Sequence, residues 1–291
     1  MFCGAAWRLS RDGVISVNGA VTQFDFGMIP PVIAYLMACV GGALGLRCIT
    51  RSLRKIRSGR RNAWLALGAV CLGTGIWTMH FIAMMGFHVH GATITYDTAL
   101  TFLSLGVAVV VVAIGVFIVG HRGATPLNLG VAGIITGGGV AAMHYLGMSS
   151  MRFSGHLSFD LVTVVLSVLI AVLAATAALW AAINLRALWA AIAASAVMGA
   201  AVAGMHYTGM AAMHVHLDGP VDGLAEDSLD LLTFLLPVVA GPVGVLVIAS
   251  VIIMFDPDML VGEESRAPRF SAAAETEVPN SAADRHARNG T

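Results

Sequence analysis

Long apolar runs separated by short polar breaks make up most of the chain. Seven of them reach the roughly 20 residues a helix needs to cross a hydrocarbon core. They are predicted at 28–49, 63–85, 99–120, 128–150, 159–183, 188–212 and 229–255. Apolar residues are continuous within each run instead of alternating, which argues for helices over the strands of a membrane barrel. Pro237 and Pro242 fall inside the last run and are expected to bend it. The expected fold class is all-α: a polytopic membrane protein with seven transmembrane helices. Residues 1–24 form an extracytoplasmic segment, 25–256 the membrane domain, and 257–291 a polar tail expected to be disordered and too short for a catalytic domain.

Composition agrees with the pattern. Apolar residues are 58% of the chain, charged residues 11%, and the mean hydropathy is +0.85. A soluble domain sits nearer half apolar and about a quarter charged, so the excess apolar surface requires lipid. A formal net charge of zero offers no basic face to displace counterions, which excludes nucleic acid as a partner. Cys3, Cys39, Cys48 and Cys71 show no CxxC spacing and read as small buried hydrophobes.

Basic residues in short loops set the expected orientation. The stretch from Arg51 to Arg61 carries Arg51, Arg54, Lys55, Arg57, Arg60 and Arg61, and the same side adds Arg122 and Arg186. Of the opposite loops only the one after the fourth run holds a basic residue, Arg152, and the one after the sixth is acidic, with Asp218, Asp222, Glu226 and Asp227; Arg8 and Arg11 oppose this reading but are outnumbered. The N-terminus is therefore expected outside and the C-terminus in the cytoplasm. The first run then serves as an uncleaved signal in the plasma (inner) membrane, because no cleavage site follows a charged start.

One short string recurs at the outer ends of runs two, four and six. It reads Met79-His80-Phe81-Ile82-Ala83-Met84, then Met143-His144-Tyr145-Leu146-Gly147-Met148, then Met205-His206-Tyr207-Thr208-Gly209-Met210. The histidines are 64 and 62 residues apart. Gly73, Gly137 and Gly199 each precede the histidine by two helical turns, where small residues allow close helix contact. His88-Val89-His90 and His214-Val215-His216 add a further match between the first and third copies. Duplication of a two-helix unit explains this, giving three repeated units and a final helix.

On a helix, residues four apart share a face. His80 with Met84, His144 with Met148, and His206 with Met210 each present an imidazole beside a thioether, a stripe extended by Met151 and Met213. Methionine in an apolar helix is ordinarily packing. A histidine inside a membrane span, by contrast, is costly unless partnered, and three at matched depth suggest one shared site. Imidazole with thioether is a soft donor set that suits copper, above all Cu(I), whereas magnesium and calcium require oxygen donors. His80, Met84, His144, Met148, His206 and Met210 are therefore the candidate metal ligands. The HxH elements are loop histidines or outer ligands. His121 and His286 are incidental. Phe81, Tyr145 and Tyr207 read as interfacial aromatics, and Asp97, Asp160 and Asp230 as acids at helix starts.

The string Met205-His206-Tyr207-Thr208 resembles the signature of the bacterial MHYT family of integral membrane sensor domains, over roughly residues 25–256. The resemblance implies a copper-binding sensor of oxygen, carbon monoxide or nitric oxide, or of redox state, that signals to a cytoplasmic partner. Phe81-Ile82 and Tyr145-Leu146 depart from the signature. The ligand types survive, while a role for the tyrosine hydroxyl in the first copy does not. Family members are often joined to cyclic-di-GMP enzymes; no such extension is present, so no enzymatic activity is expected. Two alternatives remain: a copper transport or delivery protein, which needs soft ligands across the whole membrane, and a His/Met-ligated haem protein, which needs facing ligands.

Overall fold

The computed structural model describes residues 8–9, 15–18, 21–22, 26–53, 58–89, 92, 94–185, 187–218 and 228–255. His90, His286, the basic stretch 54–57, the acidic loop 219–227, the side chain of Asp230 and the tail 257–291 lie outside the described residues.

Among the described residues there are seven helices: α1 Ile29–Ser52, α2 Ser58–Met84, α3 Thr98–Arg122, α4 Pro126–Ser149, α5 Leu161–Asn184, α6 Leu188–Ala211 and α7 Ser228–Met254. All seven are long and apolar enough to cross a bilayer, as the apolar runs predict, and the chain is a multi-pass membrane protein. α2 begins ahead of the predicted 63 because Arg60 and Arg61 ride on the helix. The Arg61 guanidinium donates to the Gly120 carbonyl at the end of α3. Arg51, likewise carried past the predicted end of α1, lies 5.8 Å over the Trp64 ring. Both helix extensions carry long cations onto partners at the ends of apolar spans. α7 is one helix through Pro237 and Pro242.

α1 to α6 pack in chain order into a ring that closes from α6 back to α1, with α2, α4 and α6 also touching one another inside it. α7 sets Leu246 and Ala249 against Cys71 of α2, beside Leu44 of α1 and Leu67 of α2. The glycines two turns before each histidine seat the ring. A Cβ on Gly73 would fall 2.8 Å from Val109 Cα on α3, and one on Gly199 2.8 Å from Cys39 Sγ on α1. One on Gly137 would strike the Val172 backbone on α5. Each glycine thus admits the first helix of the following repeat, and the third admits the first.

Short strands frame every repeat. Those before the first helix of a pair are β3 Val21–Thr22, β5 Thr95–Tyr96 and β7 Gly155–Phe159. Those after the second are β4 His88–Val89, β6 Met151–Arg152 and β8 Met213–Asp218. β3 pairs with β4, β5 with β6, and β7 with β8, always antiparallel. The repeat is therefore β–α–α–β, tied shut by its own ladder. β2 Ile15–Asn18 adds to β8, and β1 Arg8–Leu9 to β2.

The last two repeats also share their entry chemistry. The Asp97 N–H donates to the Ser150 carbonyl, and the Asp160 N–H to the Ala212 carbonyl, each at 2.8 Å. Their carboxylates cap α3 and α5 by accepting from the Leu100 and Thr163 N–H groups. The Leu100 N–H and the Arg152 guanidinium, 2.9 Å away, hold the Asp97 carboxyl below its ordinary range. The helix starts expected at these acids are therefore capped starts.

Candidate metal centre

Each even helix delivers one imidazole to the axis of the ring. His80, His144 and His206 are 1%, 0% and 1% exposed, so lipid and water are both excluded from them. Their Nδ1 atoms form a triangle with edges of 3.0 Å (His80 to His206), 3.1 Å (His80 to His144) and 3.3 Å (His144 to His206). Ring planes stand at 77–86° to one another, with centroids 4.9–5.1 Å apart, like three blades about an axis.

Hydrogen bonding cannot satisfy such a triangle. Each Nδ1 carries either a proton or a lone pair, so among three mutual neighbours at least two must be alike. Two lone pairs, or two N–H groups, then face each other in an apolar interior, which is costly. A cation at the centre removes the conflict by drawing all three lone pairs inward. The centre of a triangle of this size lies about 1.8 Å from each nitrogen, and a small step along the axis gives the roughly 2.0 Å of a metal–imidazole bond. Three nitrogens on one side of an ion leave a fourth position open. The three residues are mutually close enough to hold one ion, and their chemistry fits a soft or borderline metal.

The other ring nitrogens point away from the axis. Nε2 of His80 and Nε2 of His144 are buried without a hydrogen-bond partner. The His80 ring lies against Gly147 and the His144 ring against Gly209, the fifth residue of the next copy of the string. Ala83 holds the same place in the first copy. These glycine seats are part of the site, and their signal was visible as the one small position in all three strings.

Met84, Met148 and Met210 are 0%, 0% and 3% exposed and sit one turn past the histidines. Helical side chains lean toward the N-terminus, which turns these thioethers toward the imidazole layer. Met151 and Met213 differ from expectation. α4 stops at Ser149 and α6 at Ala211, so both residues begin strands instead of extending a helical stripe. Of the HxH histidines, His88, His214 and His216 are strand residues: His88 pairs with Thr22, and His216 with His156, whose ring it stacks on at 4.9 Å. His121 is exposed at the far end of α3, with Nε2 3.0 Å from Asn62 Oδ1.

Phe81 corrects the reading of an interfacial aromatic. It is 0% exposed, 4.5 Å from the Trp77 ring and edge-on to His80 at 4.8 Å. α2 is buried along most of its length, so Trp77 and Phe81 wall the site instead of meeting lipid headgroups. Tyr145 takes the same edge-on place beside His144 and shares a 2.7 Å hydrogen bond with Ser167 of α5.

A repeat-built, seven-helix membrane domain with one buried histidine per repeat is the class that this architecture defines. Residues 73–132 and 137–195 match the MHYT family model, described as a bacterial signalling protein N-terminal repeat. The chain belongs to the MHYT family. The matched segments open at Gly73 and Gly137, one helix out of step with the β–α–α–β unit, and the third string lies past them.

The relatives it matches are signalling proteins. It is 37% identical over 199 residues to the bifunctional diguanylate cyclase/cyclic di-GMP phosphodiesterase MucR of Pseudomonas aeruginosa, covering 67% of this chain and 29% of that protein. Identity to the cyclic di-GMP phosphodiesterase NbdA of the same organism is 37% over 187 residues, or 62% of this chain and 24% of that protein. The signaling protein YkoW of Bacillus subtilis is 27% identical over 193 residues, 64% of this chain and 24% of YkoW. The chain thus spans less than a third of each of these relatives. No solved structure matches.

Proposed function

We propose that this domain is a non-enzymatic membrane sensor whose three imidazoles hold one copper ion. The observation that carries the reading is the Nδ1 triangle of 3.0–3.3 Å edges in full burial. Methionines on both sides of the histidine layer, Met79, Met143 and Met205 before it and Met84, Met148 and Met210 after it, favour a soft ion. Bound copper would supply an open coordination position for a diatomic gas, or a one-electron redox change.

The chain's own part is to position the donors and report on them. His80, His144 and His206 converge from α2, α4 and α6, and the glycine seats fix the ring planes of His80 and His144. Any change in how tightly the three donors are drawn together moves three helices that touch each other inside the ring. A two-state shift of that kind is what a partner at the cytoplasmic loops would read. The signalling relatives support such an output, and the cyclic di-GMP activities belong to those proteins as named.

Of the alternatives, haem ligation needs two ligands facing across a macrocycle, and convergence of three nitrogens on one point favours a single ion. A transport path needs soft ligands throughout, and on the far side of the histidines the core offers Met198 and Met205 among Leu46, Ile49, Leu72 and the alanines of α5, which is no ladder across the membrane. The test is the copper-to-protein ratio of the purified chain against its three His→Ala variants. A ratio near one that collapses in each variant is expected; equal ratios in well-folded protein reject the reading.

A further inference from the structure

The interior on the far side of the histidines from the strands is not filled. A cavity of about 40 Å³ runs along the ring axis there, walled by all of α1 to α6. Its upper wall is set by the repeat. Ile76, Val140 and Val202 line it, each four residues before its histidine and so about 6 Å down the axis. The rest is leucine, isoleucine, valine, methionine and alanine, with Thr136 the single polar residue. The Thr136 hydroxyl is itself directed to the Val111 carbonyl at 3.4 Å.

Water does not suit this space. A buried water needs two to four polar partners, and this lining offers at most one; apolar cavities of such composition stay dry and take up apolar molecules instead. The space exceeds the ~10–15 Å³ that one water-sized particle requires, so an occupant of two or three heavy atoms fits.

A second feature lies between this cavity and the bilayer. A lipid-facing groove between α5 and α6 is walled mainly by alanines, and Ala174, Ala178 and Met198 line both it and the cavity. Small residues at that seam thin the barrier between bilayer and cavity. Of the three residues shared by groove and cavity, Met198, unbranched and adaptable, is the one long side chain. Small uncharged molecules are more soluble in hydrocarbon than in water, so the bilayer is their reservoir.

We propose that this cavity is a binding compartment for a small uncharged molecule, such as a dissolved diatomic gas, which enters from the lipid between α5 and α6 and meets the histidine layer from below. The assignment of the compartment stands on its apolar lining. The meeting with an open metal position rests on the copper reading.

Two measurements separate them. The metal-free full chain in nanodiscs is titrated with xenon and followed by 129Xe NMR. A saturable bound signal is expected in the wild type and in Ala177→Leu, which fills only the groove, and is lost in Ala175→Leu, with Ala175→Val as the gentler filling variant should leucine not fold. A signal absent from the wild type, or unchanged by filling at Ala175, overturns the compartment whether or not metal binds. The copper-loaded protein is then mixed with carbon monoxide. Ala178→Leu is expected to slow binding at least tenfold at unchanged copper content, and an unchanged rate overturns the lateral route. Xenon binding in a chain that takes up no copper would leave the compartment standing and reject the metal reading alone.

Discussion

Nε2 of His80 occupies the space where a side chain on Gly147 would begin: a Cβ there would fall 2.5 Å from it. The ring of one repeat is thus seated by the missing side chain of the next. His144 and Gly209 repeat the relationship.

Gly147→Ala should therefore disturb the site without harming the helix. Alanine favours a helix interior over glycine by about 1 kcal/mol, so helicity is retained or raised. The added methyl pushes His80 off the axis, and copper content should fall severalfold. Gly138→Ala, where nothing lies within 4 Å of the new Cβ, should leave metal content unchanged. Circular dichroism with metal analysis on the two variants decides it; equal copper in both counts against the seat.

Loss of any one histidine removes a third of the donors. His80→Ala, His144→Ala and His206→Ala should each reduce copper occupancy at least tenfold in detergent-purified protein. His121→Ala should have no effect, since that residue lies at the far end of α3 with Asn62 as its neighbour.

Single methionine changes should matter less. If Met84, Met148 and Met210 compete for one position above the imidazole layer, Met→Leu at any one of them is expected to weaken copper retention against a chelator by a few fold. The triple variant should lose more than the sum of the singles in free energy, and strict additivity would argue that no thioether binds.

Tyr145→Phe probes what the hydroxyl does. The change recreates the first repeat's Phe81 in the second and breaks the 2.7 Å bond to Ser167. A stability loss of about 1 kcal/mol is expected, with copper content intact. Loss of metal on this change would make the hydroxyl part of the site.

Topology follows from the charges between Arg51 and Arg61. A reporter active only in the cytoplasm should work when fused after Gly262 and fail at Gly219. The reverse pattern inverts the molecule in the membrane. Removing residues from Ala267 onward should leave insertion and metal content unchanged.

The helices and the triad were legible because both are written in strong, local signals. Runs of about 20 apolar residues leave little freedom, and a string repeated three times marks its own importance. The strands were not legible. β3, β4, β5 and β6 are two residues each, too short for any alternation to register. They form because the ends of a helix pair come together, which is a property of the hairpin and not of Thr95 or Tyr96. The burial of Phe81 was hidden for a related reason. Its helix is enclosed by neighbours, and nothing in its own sequence distinguishes it from the lipid-facing Phe102 of α3. Convergence of Nδ1 in particular, and the void below Ile76, Val140 and Val202, depend on how three helices rotate about one axis.

Closure of the ring between α6 and α1 has a consequence in time. His80 and His206 are separated by 126 residues. At the usual 5–20 residues per second, the first imidazole waits roughly 6–25 s in the membrane before its last partner has been synthesised. On the copper reading, ion capture at full strength would therefore be a late event in the life of each molecule. A chain halted after α4 would own two of the three donors and four of the six helices of the ring. Copper, once loaded, would thus certify that the ring of six helices has been completed.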